Sequence, residues 1–234
     1  MNLRPQKLSE IVGNEKLKKC IAINLDVSKR TKTPIPHTLF QGHYGVGKTT
    51  CAEVMAKESE KKLLQINAAS LTKPKHAIEL ILRIQQDDIV FIDEIHRLDR
   101  HLEEIFYPVM EDNTLTLAKP RPGIDSFVKE KIPPFTLIGA TTDIGLLSGA
   151  LLSRFKQHYF LELYSLDDIK QIILNNAKKL NLHINDELAI LIAKRSKKIP
   201  RIANSRLEWV ANYCMSNGIV NPTVQHLEDA MSLI

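Results

Sequence analysis

Residues Gly42 to Thr49 read Gly-His-Tyr-Gly-Val-Gly-Lys-Thr, the spacing G-x-x-x-x-G-K-[ST]. Gly42, Gly45 and Gly47 let backbone N–H groups turn inward and approach an anion with no Cβ in the way. Lys48 is then expected to reach the β- and γ-phosphates of a nucleoside triphosphate, Thr49 to offer its hydroxyl to Mg2+, and Thr50 to follow in the same turn. ATP with Mg2+ is the expected ligand. Such a loop needs a strand before it and a helix N-terminus after it, whose dipole adds to anion binding. Thr38 to Gln41 and Thr49 to Glu58 have the composition of those two elements.

Farther along, the apolar run Ile89 to Ile92 ends in Asp93 and Glu94. Consecutive strand residues point to opposite faces, so two adjacent carboxylates can divide the work. Asp93 suits Mg2+, directly or through water, and Glu94 suits orienting and polarising an attacking water. Alone, an acidic pair after a core strand is as often a solvated turn; the phosphate loop upstream turns the reading toward hydrolysis. Thr141 and Thr142 close another strand beside the expected γ-phosphate, where a hydroxyl can bond water or phosphate oxygen. Arg154 and Arg201 are candidates for stabilising charge on the transferring phosphate, Arg201 from a helix start after Pro200. By residue type alone, a surface ion pair is the better reading for each arginine. His96, Arg97 and His101 lack metal-ligand spacing and read as helix-surface residues.

These residues require a scaffold of buried parallel strands. Thr38 to Gln41, Leu63 to Asn67, Ile89 to Asp93 and Phe135 to Ala140 are apolar, β-branched runs, with His158 to Leu163 as a fifth. Helices over Thr49 to Glu58 and His76 to Gln86 alternate with them, which predicts a three-layer α/β domain over residues 1–163. From residue 164 the pattern is helical only, a small all-helical domain over 164–234. Ser165 and Asp168 form a capping box, and helices follow over Asp186 to Ser196, Arg201 to Asn217 and Pro222 to Ser232, the last capped by Asn221. Lys119 to Lys131, with Pro120, Arg121, Pro122 and Gly123 at its turn, reads as a protruding β-hairpin.

Composition narrows the setting. With 44% hydrophobic residues over 234 positions, the chain can bury a substantial core without staples. The net charge of +5 accommodates a polyanionic partner without requiring one, and no basic run exceeds three residues. Cys20, Cys51 and Cys214 are scattered, with no disulfide framework or metal spacing, which favours a reducing cytoplasm. Met1 to Glu15 mixes charges, and the most apolar tract, Phe135 to Leu152, is broken by Asp143 and three glycines. Neither a secretory signal nor a membrane span is expected.

Together the motifs resemble the AAA+ ATPases, and more narrowly the RuvB family of motors that drive branch migration of Holliday junctions. Carrying the resemblance are Leu3-Arg4-Pro5, Ile11-Val12-Gly13, Phe91 to Leu98, Tyr107 to Asp112, Pro133 to Thr142 and Pro200-Arg201-Ile202-Ala203-Asn204. The tracts from Phe91 to Asp112 and Pro133 to Thr142 are far more selective than the phosphate loop. The resemblance implies a P-loop AAA+ domain followed by a helical lid, with ATP hydrolysis and helicase-type DNA recombination and repair as the activity. Leu3 and Arg4 look like base-site residues, and Gly45, Lys48, Thr49 and Thr50 like phosphate and Mg2+ contacts. Glu111, Asp112 and Asn113 resemble a subunit-boundary segment near the neighbour's nucleotide. Arg154 matches an arginine finger acting in trans, Tyr164 a nucleotide contact at the domain junction, and Arg201 a second sensor. The hairpin over residues 114–132 looks like the docking element for a RuvA-type junction-binding protein. A trans arginine implies a homo-oligomeric ring, in the family a hexamer, acting on Holliday-junction DNA.

The chain also departs from the family's pattern. His43 and Tyr44 stand where two prolines are usual, and Leu152 and Asp143 where arginines are usual. The family continues past the position of Ile234 into a winged-helix DNA-binding domain. A clamp-loader-type AAA+ ATPase shares the same chemistry, but the Tyr107 to Asp112 stretch and the hairpin argue against it. A nucleotide-dependent assembly module with little hydrolysis is disfavoured by Glu94.

Overall fold

The computed structural model describes residues 3–121 and 124–234, apart from the side chains of residues 119–126. After α1 (Glu15–Thr31) the chain alternates β1 (Thr38–Gly42), α2 (Lys48–Glu58), β2 (Leu63–Asn67), α3 (Pro74–Leu82), β3 (Ile89–Asp93) and α4 (Arg100–Asp112). A hairpin of β4 (Thr114–Arg121) and β5 (Ile124–Lys131) precedes β6 (Thr136–Thr141), α5 (Gly149–Leu152) and β7 (Gln157–Leu161). Four helices follow: α6 (Leu166–Lys179), α7 (Asp186–Lys194), α8 (Pro200–Ser216) and α9 (Val224–Ser232).

Five strands form one parallel sheet in the order β2-β3-β6-β1-β7. Strand alternation divides its side chains between two cores. Phe40, Ile89, Phe91 and Ile138 face the core shared with α1 and α2, whereas Leu39, Val90, Ile92 and Leu137 face the core shared with α3 and α4. The expected three-layer α/β class is therefore observed, with a helical lid behind it. One hydrophobic cluster runs continuously from Ile21 and Met55 to Ile169 and Leu207, so the lid packs on the α1/α2 side of the sheet.

Several boundaries differ from the expectation for physical reasons. β7 ends at Leu161 rather than Leu163 because its partner β1 ends opposite it, at Gly42, where the chain turns into the loop. α3 spans Pro74–Leu82 rather than reaching Gln86, since buried Asp88 turns back to accept the Gln85 N–H at 2.9 Å. α9 is capped by Thr223 rather than Asn221: the Thr223 hydroxyl accepts the His226 N–H while the ring Nδ1 of His226 accepts the Thr223 N–H. The Ser165–Asp168 box caps α6 as expected. Helix α1 has no counterpart among the elements read from the sequence. The hairpin is formed, pairing Thr114 with Lys131 through Arg121 with Ile124, and its turn residues Pro122 and Gly123 lie outside the described residues.

His37, just ahead of β1, ties three elements together. Its Nδ1 accepts the Leu137 N–H at 2.8 Å, so the proton must sit on Nε2, which donates to the Met110 carbonyl at 3.2 Å. Burial lowers its pKa to about 4, with Lys156 adding to the shift and the Met110 bond opposing it. The folded state thus binds this proton less well than the unfolded chain, where the value is 6.5. The associated stability is complete above pH 6.5 and is lost as pH falls toward 4, at most about 3 kcal/mol. Urea unfolding at pH 7 and pH 4.5 should show His37→Gln losing distinctly less stability on acidification than wild type; identical losses would contradict this assignment.

Candidate active site

The loop from Gly42 to Lys48 is held from both sides. A Cβ at Gly42 would lie 2.6 Å from the Leu161 carbonyl oxygen, and one at Gly45 would lie 2.8 Å from Ile199 Cγ2 and 3.0 Å from Arg201 Cβ. Gly45 also has φ +73°, which L side chains adopt at a cost. The lid grips the same loop: the Arg201 N–H donates to the Gly45 carbonyl at 3.3 Å, and the Tyr164 hydroxyl donates to the Val46 carbonyl at 3.1 Å. Burial pushes the Tyr164 pKa up, keeping that donor protonated. Gly45→Ala should force the lid helix off the loop and weaken ATP binding about tenfold or more. A titration of nucleotide affinity that is unchanged by this substitution would show that the lid contact is dispensable.

α2 begins at Lys48 with Gly47 as its N-cap and no side chain capping it, so its first N–H groups remain available to an anion. Lys48 is only 6% exposed, and its Nζ donates to the carbonyls of Gly42 at 2.7 Å and His43 at 3.0 Å. Burial lowers its pKa, assisted by Arg201, while Glu94 and then Asp93 hold the charge in place. A buried ammonium flanked by two carboxylates is poised for a highly charged phosphate chain.

Asp93 ends β3, and its Oδ1 accepts the Glu94 N–H at 3.0 Å. Glu94 has φ +51°, a backbone state uncommon for a non-glycine residue, and this throws its side chain toward the end of β6. Its Oε2 accepts the Thr142 hydroxyl at 3.3 Å and lies 3.4 Å from His96 Nδ1. His96 is therefore not the surface residue its sequence position suggested, whereas Arg97 and His101 are exposed.

One cavity of about 890 Å³ gathers Leu3, Arg4, Gly45, Gly47, Lys48, Thr49, Thr50, Asp93, Glu94, Tyr164 and Arg201. Gly42 contributes from behind, through the carbonyl that accepts Lys48. Glu111, Asp112, Asn113, Thr142 and Arg154 do not line it. The Asp93 carboxylate and Thr49 hydroxyl, both at the cavity, are hard oxygen donors of the kind Mg2+ takes when phosphates and waters complete its shell.

Arg154 sits elsewhere, against α4. Its guanidinium lies 4.1 Å from the Tyr107 ring centroid, pairs with Glu111 Oε1 at 3.0 Å and donates to the Ala150 carbonyl at 2.5 Å. Its Nε is buried with no hydrogen-bond partner among the described residues. The Tyr107 hydroxyl is anchored to Glu103 at 3.0 Å and lies 2.9 Å from the Ser148 hydroxyl, which caps α5.

The sequence reading missed part of the cavity wall. Asn67 closes β2 beside Asp93, and Ile172, Asn175, Asn176 and Lys179 form one face of α6 opposite Asn204 and Glu208 of α8. The spacing of 172, 175, 176 and 179 marks one helix face, a signal visible in the sequence once α6 is recognised.

Comparison with known proteins agrees with this geometry. Residues 3–161 match the Holliday junction DNA helicase RuvB P-loop domain family, and residues 164–234 match the RuvB AAA lid domain family. A curated Holliday junction branch migration complex subunit RuvB from Fusobacterium nucleatum is 40% identical over 226 residues, covering 97% of this chain and 68% of the relative. The protein of the same name from Staphylococcus aureus is 36% identical over 234 residues, covering 100% of this chain and 70% of the relative. Among solved structures, the Thermotoga maritima RuvB Holliday junction branch migration motor superposes with a TM-score of 0.88 at 32% identity, covering 99% of this chain and 72% of that one. Among the described residues no helix is long and apolar enough to cross a membrane. The chain belongs to the RuvB family of AAA+ P-loop ATPases.

Proposed function

We propose that this chain is an ATP-hydrolysing motor subunit that drives branch migration of Holliday junctions in DNA recombination and repair, in the reducing cytoplasm. The observation that carries the reading is the convergence of Lys48, Asp93, Glu94 and Arg201 on one cavity large enough for a nucleoside triphosphate. Residues 1–163 form the ATPase domain and 164–234 the lid.

Leu3 and Arg4 hold the base, and the glycine loop with Lys48, Thr49 and Thr50 holds the phosphates. Thr49 and Asp93 would hold Mg2+, which when bound neutralises charge on the phosphate oxygens. Glu94 orients the attacking water and accepts its proton, with Thr142 fixing one carboxylate oxygen. Arg201 reports the γ-phosphate to the lid through its backbone bond to Gly45. Arg154 acts on the neighbouring subunit's nucleotide, and Glu111, Asp112 and Asn113 line the same boundary; this division explains why none of the four lines the chain's own cavity. That arrangement calls for a homo-oligomeric ring, and the likeness to the family supports six subunits. The separate β4–β5 hairpin over residues 114–132 is the docking element for a RuvA-type protein, and it weighs against a clamp-loader role.

The test combines the purified chain, Mg2+ and ATP with a synthetic four-way junction and a RuvA-type protein. ATP-dependent conversion of the junction to separated arms supports the reading. Phosphate release no faster than that of Glu94→Gln overturns it.

A further inference from the structure

Thr141, the last residue of β6, meets the His96 ring. Its hydroxyl is fully buried and donates to the Asp143 carbonyl at 2.8 Å, so its single hydrogen is committed. The oxygen accepts the Asp143 N–H at 3.0 Å and faces His96 Nδ1 at 2.9 Å. With its hydrogen on the Asp143 carbonyl, Thr141 accepts from His96, and the tautomer with the proton on Nδ1 is the one in which all three contacts are hydrogen bonds. The Glu94 Oε2 stands 3.4 Å from that same nitrogen and accepts the Thr142 hydroxyl at 3.3 Å.

We propose that His96 is a positioning residue: its ring, held by the hydrogen bond between Nδ1 and Thr141, lies 3.4 Å from Glu94 Oε2 and limits the carboxylate to the orientation from which it addresses the attacking water. His96 does not line the cavity, so it acts only through Glu94. The backbone at Glu94 makes such support necessary. At φ +51° the residue leaves β3 in a turn, and Ile95–Arg97 form a single turn of 3-10 helix that brings His96 back alongside it. Without the imidazole, the carboxylate keeps the Thr142 hydroxyl bond and loses the ring that stands beside it. The chain of contacts also assigns a role to Asp143: its backbone, anchored by its own side chain on the Gly145 N–H at 2.9 Å, sets which way the Thr141 hydroxyl points.

This inference rests on Glu94 serving the water, as proposed above. The experiment measures kcat for ATP hydrolysis and ATP affinity in wild type, His96→Leu and His96→Asn, each also in the Glu94→Gln background. Asn places an N–H donor near the position of Nδ1, whereas Leu fills the space without one. Misplacing a reacting group by about 1 Å costs up to 100-fold. The expected result is a 10- to 100-fold loss of kcat in His96→Leu, ATP affinity within twofold, substantial recovery in His96→Asn, and less than a twofold effect of either change once Glu94 is Gln. Equal rates in His96→Leu and wild type, equal losses in Leu and Asn, or a loss that persists in the Glu94→Gln background would overturn the positioning role. If wild type itself releases no more phosphate than Glu94→Gln, it is the hydrolytic reading of Glu94 that fails.

Discussion

Arg154→Ala should lower ATP turnover by about three to five orders of magnitude while leaving ATP affinity within about twofold, the range associated with an arginine finger. The asymmetry follows from position. Arg154 is outside the chain's own cavity, so its loss removes nothing that grips the nucleotide in the same subunit. What it does touch is inexpensive to give up. Its partner Glu111 is 54% exposed, and an ion pair of that kind contributes about 0–1 kcal/mol. The Tyr107 stack adds about 1 kcal/mol at such a site. On the proposed reading, a γ-phosphate across a subunit boundary, presenting multiple charged oxygens, would outcompete a single exposed carboxylate. The fold should survive the substitution, with a stability loss on the order of 1–2 kcal/mol by denaturant unfolding. Turnover that is unchanged in Arg154→Ala, or turnover per subunit that stays constant on dilution to monomer, would show that the arginine has no role in trans.

The second large effect is expected for Glu94→Gln. Removing a positioned base costs about 10²- to 10⁴-fold, and Gln keeps the shape and the acceptor oxygen while losing the negative charge and the basicity. ATP should therefore bind at least as tightly as in wild type, because one of the carboxylates facing the phosphates has been neutralised. Lys48 sharpens the expectation: Glu94 is the foremost of the groups holding its charge against burial, with Asp93 next. Nucleotide binding with trace phosphate release in single-turnover assays is the predicted outcome. Rapid hydrolysis by Glu94→Gln would move the base to another residue.

The reach of sequence reasoning differed between the two ends of the site. The glycine loop and the acidic pair were legible because backbone conformation and strand alternation dictate where Lys48, Asp93 and Glu94 must go. All three meet in one cavity. Strand order and the lid's packing against the α1/α2 core depend on long-range contacts that no local pattern contains, and α1 went unread for want of a motif attached to it. His96 was misread for a related reason. A histidine three residues past an aspartate on a strand end looks solvent-facing, and only the left-handed turn at Glu94 folds it back onto Thr141. The amide-lined wall between α6 and α8 escaped notice because Asn176 and Asn204 are 28 positions apart and meet, at 2.9 Å, only after the two helices have packed. The His43 and Tyr44 rings lie 4.3 Å apart, centroid to centroid, tilted by 42° to each other.

The central claim, that each cavity is completed by the neighbouring subunit's Arg154, is tested most directly by mixing two inactive variants. Lys48→Ala lacks a working cavity but carries an intact Arg154; Arg154→Ala has the converse defect. Co-assembled in equal amounts, they are predicted to recover toward about a quarter of wild-type ATP turnover, the share of boundaries at which an intact cavity meets an intact arginine under random assembly. A mixture whose rate stays at the sum of the two separate variants would contradict the account.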